Sequence, residues 1–238
     1  MLKALIDRLE QTYGLQAWSG PTDPYDFLVW LNCGYPPSDA ACAGGYASLA
    51  SAIGTTPEAI LGTGEATLAA ALASGGMVAD LRARRLQEIA GRVGDLVGLA
   101  TRPVADARKL LAGFPTIGAS AADRILLFCG LAPLPVFPSG ALHVMLRLGY
   151  GEEVKDWGKT YSSIRDAAAA ELPIDISGLQ RVYLLLKSHA QGICRKSKPR
   201  CLECALRSDC VWYQARDPVP RQHLREVDPI FRTVWRLG

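Results

Sequence analysis

Alternation of β-branched and polar residues is almost absent from this 238-residue chain, so half-buried strands are not expected. A strong excess of one charge is also missing. The net charge of +3 excludes a uniformly basic surface and leaves any cationic patch to be local. No apolar run is both long and unbroken. The longest, 125–146, contains Pro133, Pro135 and Pro138, with Gly130 and Gly140 close by. Proline removes an amide donor and clashes with the preceding turn, so this run reads as helix, loop, helix and not as a membrane span. The N-terminal stretch carries Lys3, Asp7, Arg8 and Glu10 and reads as an amphipathic helix, not a signal peptide. The expectation is a cytoplasmic protein, nucleoid-associated if bacterial, whose thiols stay reduced.

What remains is helix and punctuation. Apolar residues recur at helical spacing nearly everywhere, and Pro- and Gly-rich breaks such as "GPTDP", "GYPPSD", "GTTPE" and "GFPTIG" separate them. Beyond the N-terminal helix, the candidates are 24–34, 41–53, 58–62, 65–74, 78–95, 104–113, 119–129, 139–149, 161–171 and 175–190. Ser139 is a candidate N-cap for the helix containing Leu142, Met145 and Leu146. The fold class is all-α, with no repeat and no low-complexity tract. Arginine outnumbers lysine 19 to 7. Its planar fork suits phosphate contacts, although an Arg- and Ala-rich background would give the same bias.

Four of the seven cysteines, Cys194, Cys201, Cys204 and Cys210, fall within one stretch as C-x6-C-x2-C-x5-C. Four thiolates on one short segment can hold a single metal centre. A single C-x2-C knuckle with wide flanking loops suits the spread irons of a 4Fe–4S cluster, with zinc as the alternative. Lys196, Lys198 and Arg200 sit in the first loop, where they can offset cluster charge or face a phosphate backbone. Cys33, Cys42 and Cys129 have no such spacing and read as small buried residues.

The run "SHAQGICRKSKPRCLECALRSDC" closely resembles the cluster loop of the endonuclease III family, helix-hairpin-helix DNA glycosylases that carry a 4Fe–4S cluster. "ARKLLAGFPTIGASAADRILLF" looks like the hairpin, "DPYDFLVWLNCGYPPSDAACAGGYASL" like the first barrel helix and its loop, and "LHVMLRLG" like the helix after the catalytic loop. The resemblance spans residues 2 to 212. It implies a six-helix barrel (24–134) with the hairpin at 107–128, and a cluster module built from 1–23 and 135–212. Residues 213–238 form a C-terminal extension, and DNA lies in the cleft. The implied partner is double-stranded DNA, damaged or mismatched, bound by a monomer with no membrane contact. The residues themselves support the hairpin. Gly118 lets the chain turn without a Cβ clash, and the turn leads into a helix N-terminus whose amides suit a phosphate. Pro115, Thr116, Ile117, Gly118 and Ser120 are the expected DNA contacts, with Lys109 and Arg124 flanking.

Both family catalytic positions are altered. The Schiff-base lysine position holds Ser120, as in the adenine-excising branch, and the essential aspartate position holds Pro138. No carboxylate occurs from Ile125 to Gly151, nor from Phe27 to Ser38. The polar wedge residue is replaced by Pro36. Asp123 is a candidate substitute acid, with a solvated face charge as its plain alternative, and Asp39 is expected to cap a helix. His189 is expected near the cluster, and His143 either lines the pocket or is structural. Two functions follow: a glycosylase or lyase fold with weak or atypical activity, or a non-catalytic binder of a DNA lesion or structure. A redox or structural iron–sulfur protein without DNA is the third.

Overall fold

Short capped segments, not long periodic runs, build this chain. In the computed structural model, which describes residues 1–216, twelve α-helices follow one another with no strand among the described residues. Residues 217–238, the greater part of the expected C-terminal extension, lie outside them. The helices are α1 (Leu2–Tyr13), α2 (Pro24–Asn32), α3 (Asp39–Ala52), α4 (Pro57–Leu61), α5 (Glu65–Ala71), α6 (Ala79–Gly91), α7 (Val104–Ala112), α8 (Ala119–Phe128), α9 (Leu142–Arg147), α10 (Trp157–Ala168), α11 (Ile176–Gly192) and α12 (Val211–Gln214). None is long and apolar enough to cross a membrane. Five begin on a side chain that accepts from first-turn amides: Asp23, Ser38, Thr56, Asp156 and Asp175. Each such cap is worth about 1 kcal/mol. Proline follows directly after Asp23 and Thr56, where its missing N–H costs nothing.

The same capping corrects four sequence expectations. Asp39 is not a cap; Ser38 accepts from the Ala41 amide at 3.1 Å and leaves the Asp39 carboxylate free to turn inward. Ser139 caps nothing either. It opens a single 3-10 turn, Ser139–Ala141, directly after Pro138, and α9 starts only at Leu142. The helix expected from 161 begins at Trp157, because Asp156 accepts from the Lys159 amide at 2.8 Å. The helix expected through 95 stops at Gly91 and tightens into a 3-10 turn, Val93–Leu96, where Gly91 and Gly94 weaken it.

Two hydrophobic cores result. One gathers Phe27 and Leu28 of α2, Leu49 of α3, Leu86 and Ile89 of α6 and Ile125 to Phe128 of α8. The other packs Leu2, Leu5, Ile6 and Leu9 of α1 against Met145 of α9, Ile164 of α10 and Leu186 of α11. Helix α11 serves both. Leu179, Tyr183 and Leu184 face the first core, while Val182, Leu185, Leu186 and Ala190 face the second. At about 1.5–3 kcal/mol per fully buried large aliphatic side chain, this shared helix is a principal link between them.

A buried guanidinium fixes the loop after α2. Arg82 is 1% exposed and donates to the carbonyls of Cys33 (2.6 Å), Gly76 (2.7 Å) and Met77 (3.0 Å). The Tyr35 amide donates to Gly75 O at 2.8 Å, and the Met77 amide to Tyr35 O at 2.9 Å. Gly76 is required there: its φ is +100°, and a Cβ would meet Tyr35 O at 2.2 Å.

Candidate nucleic-acid interface

Helices α7 and α8 pack against each other and are joined by a tight turn, 113–118. Phe114 and Ile117 are buried beneath it, so the Ile117 side chain is core and only its backbone can face a ligand. The special backbone is not at the expected glycine. Gly118 has φ −86°, which any residue adopts, and a Cβ there would meet open space. Thr116 instead takes the left-handed φ of +65°. The buried Asn32 braces this conformation. It accepts from Thr116 Oγ1 at 3.1 Å and donates to Pro115 O at 3.4 Å and Leu28 O at 3.0 Å. From the other side, Arg92 donates to Gly113 O at 2.9 Å and lies over the Phe114 ring. Among the described residues no side chain caps α8, so its first amides and the positive end of its dipole are left open at exposed Ala119 and half-buried Ser120. Lys109 is exposed on α7.

Ser120 and Asp123 line a cavity of about 510 Å³ with Arg108, Trp157, Tyr161 and Arg165. Asp123 is not a solvated face charge: it is 3% exposed, with Arg108 at 2.5 Å and 2.9 Å from its two oxygens. Burial raises its carboxyl above the ordinary range, although Arg108 opposes the rise.

Pro138 lines a different cavity, of about 320 Å³, with Asp39, Arg124, Ser139, Tyr183 and Lys187. Ser120 and Pro138, at which the family resemblance places catalytic groups, line different cavities, with a third that shares Ser139 and Gly140 with one and Trp157 with the other; Asp123 lines only that of Ser120. Asp39 pairs with Arg124 at 3.0 Å and with Lys187. Burial pushes its carboxyl up, but Arg124 and Lys187 outweigh that and hold it below the usual range. Arg124 does not flank the hairpin phosphate site as expected. It turns inward over the Trp18, Phe27, Trp30 and Tyr183 rings, 5.0 to 5.6 Å from their centroids.

The four clustered cysteines line one small, largely apolar cavity. Arg147 Nη1 donates to Cys194 Sγ at 3.3 Å and to Arg195 O at 2.8 Å, and Nη2 donates to Lys196 O at 2.9 Å. His189 lies 3.7 Å from Cys204 Sγ and is held by the Tyr13 hydroxyl at 2.9 Å. His143 Nε2 bonds Cys194 O at 2.5 Å, and the ring also lines a cavity that includes Ser139 and Trp157. Burial pushes the Cys194 and Cys204 thiols up. Among the described residues, no three His, Cys, Asp or Glu side chains are arranged to hold a single metal ion. Four soft donors around one cavity, with a cation donating to a sulfur, are a donor set that suits a thiolate-ligated centre. Lys196, Lys198 and Arg200 are exposed on the first cysteine loop; Cys33 and Cys42 are buried as expected, whereas Cys129 is only half-buried.

The chain superposes on a non-covalent endonuclease III–DNA complex with a TM-score of 0.70 at 16% identity, covering 90% of this chain and 96% of that one. The endonuclease III fold is this chain's fold. A thermostable thymine-DNA glycosylase matches with a TM-score of 0.69 at 18% identity, covering 90% and 97%. The 8-oxoguanine DNA glycosylase of Thermotoga maritima matches with a TM-score of 0.52 at 20% identity, covering 82% and 91%. No protein-family model matches the sequence, and no curated protein matches it.

On this endonuclease III fold, several residues stand at the interface without having been singled out by the sequence. Asn32 reads as an ordinary helix-end residue until the hairpin is seen against it. Lys187 lies on a helix chosen for its apolar stripe. Arg147 is embedded in the run "LHVMLRLG". Trp157 falls ahead of the helix expected from 161; the signal for it is Asp156 three residues ahead of Lys159, a cap spacing.

Proposed function

We propose that this protein binds double-stranded DNA bearing a lesion or mismatch, as a monomer, and that excision or strand-cleavage activity is weak or atypical. The observation that carries the reading is the braced, outward-facing hairpin whose following helix has no side-chain cap. Amides there suit a phosphate oxygen, and the absence of a Cβ at Gly118 leaves room for close backbone approach. Lys109, Lys196, Lys198 and Arg200 would add non-specific phosphate contacts, each making affinity more salt-dependent. Cys194, Cys201, Cys204 and Cys210 would hold a 4Fe–4S cluster. When bound, such a cluster supplies a rigid cross-link under the basic loop and charge that the neighbouring cations offset. Arg147 would orient Cys194 and the Arg195–Lys196 backbone toward it. Residues 1–23 and 135–212 would form the cluster module, 24–134 the barrel, and 213–238 an extension.

A non-catalytic role is favoured by the cavities. Pro138 has nothing to ionise. Asp39 is neutralised by two cations, and Asp123 is tied to Arg108. Loss of an acid or a nucleophile commonly costs several powers of ten in rate, and here both positions have changed. Duplexes containing an oxidised pyrimidine, uracil, a mismatched adenine, an abasic site or no lesion distinguish the readings. Lesion-selective binding with at most slow product formation is expected from anaerobically purified, iron-containing protein. Absence of binding to every duplex would refute the DNA reading; rapid base release at one lesion would refute the weak-activity reading.

A further inference from the structure

Tryptophan 157 stands at the start of α10, between two cavities. On one side is the space lined by Ser120 and Asp123; on the other is one of about 370 Å³ lined by Ser139, His143, Lys155 and Lys196. One face of the indole stacks on Tyr161, with centroids 5.2 Å apart and planes 25° apart. Among the described residues no other ring contact covers it, and 49% of the residue is exposed. A single exposed apolar side chain is ordinary. The surroundings of this one are not. Lys155, Lys159 and Lys196 line the same two cavities, and among the described residues none of them has a carboxylate within ion-pair distance. Of the nearby acids, Asp123 is paired with Arg108 and Asp156 caps α10, while Glu153 lines the second cavity beside Lys155 and Lys196, leaving the cations in excess around the ring. The uncapped start of α8 opens onto the first of these cavities through Gly118, Ala119 and Ser120.

A rigid, pre-stacked aromatic ring among unpaired cations, next to a phosphate-suited helix start, is the arrangement that takes a nucleobase on its face and its backbone on the cations. Every base has a π-face, so such a platform selects for bases that are unstacked, not for sequence. We propose that Trp157 is a stacking platform for an unpaired nucleobase, so that the preferred ligand is DNA containing a bulged or extruded base beside duplex. This deepens the DNA-binding reading above and rests on it. Tyr161 is a positioning residue here, fixing the indole by contact from behind.

Three labelled DNAs test the proposal at one salt concentration: a fully paired duplex, the same duplex with one bulged nucleotide, and a single strand. The wild-type protein is expected to bind the bulged duplex about tenfold more tightly than the paired one, in line with the worth of one stacked base. Trp157→Leu should lose that tenfold on the bulged duplex and change paired-duplex binding less than twofold. Trp157→Phe, which keeps a ring on Tyr161, should retain most of the preference. The emission lost between the wild type and Trp157→Phe should be quenched by the bulged duplex and not by the paired one. Melting curves of both variants check that α10 has survived. If Trp157→Leu binds all three DNAs as the wild type does, or weakens all three equally, the stacking site is refuted while DNA binding stands. If the folded wild type binds none of the three, the DNA-binding reading itself fails, and the platform with it.

Discussion

A buried carboxylate, Asp123, and a half-buried one, Asp39, are shifted in opposite senses, and the contrast can be measured. Asp123 is raised by burial, so its protonated form is favoured on folding. The stability it contributes is fully present below the ordinary aspartate value, about 3.9, and is lost as pH rises through its folded value. Asp39 is held low despite burial by Arg124 and Lys187, so its contribution is present above the ordinary value and is lost as pH falls through the folded one. Urea midpoints between pH 4 and pH 7 should therefore fall with pH for the wild type relative to Asp123→Asn. Parallel curves for the two proteins would mean that Asp123 is not held up by its surroundings. Sequence reading found both residues but assigned neither environment, because each is set by partners far along the chain: residue 108 for Asp123, residues 124 and 187 for Asp39.

The hairpin between α7 and α8 was legible as an element and misread in its details. Spacing and the "GFPTIG" turn located both helices to within a residue or two. The glycine rule pointed to Gly118, yet Thr116 takes the left-handed backbone, because Asn32 compensates it from eighty-four positions away. No local signal encodes that. Replacing Asn32 with Ala should cost about 1–3 kcal/mol, the usual cost of stranding buried hydrogen-bonding groups, and should weaken duplex binding more than a substitution at exposed Lys109. A variant as stable and as tight in binding as the wild type would show that the turn does not depend on this brace. The four cysteines were legible from spacing alone, since a motif of this density leaves little freedom. The start of α10 was not: one aspartate cap outweighed a weak apolar pattern, and with it Trp157 was missed.

At the scale of the molecule, the chain is tied together by α11 and by the Asp39–Arg124–Lys187 triad, which joins α3, α8 and α11. Leu186 is fully buried in the second core. Leu186→Ala should lower stability by about 2–5 kcal/mol while leaving one cooperative transition, seen alike by tryptophan emission and by far-UV circular dichroism. Two separated transitions would show that the cores unfold independently. Their shared helix was visible in the sequence only as an apolar stripe; which residues served which core depended on neighbours that the stripe does not name. The buried Arg82 has a further consequence. By fastening Cys33, Gly76 and Met77 through one guanidinium, it makes the turn carrying Tyr35 and Pro36 a fixed prong. Its shape is settled during folding, with little freedom left to surrender on contact. Anything that meets that turn meets a shape that does not adapt to it, so the adjustment falls on the other side of the contact.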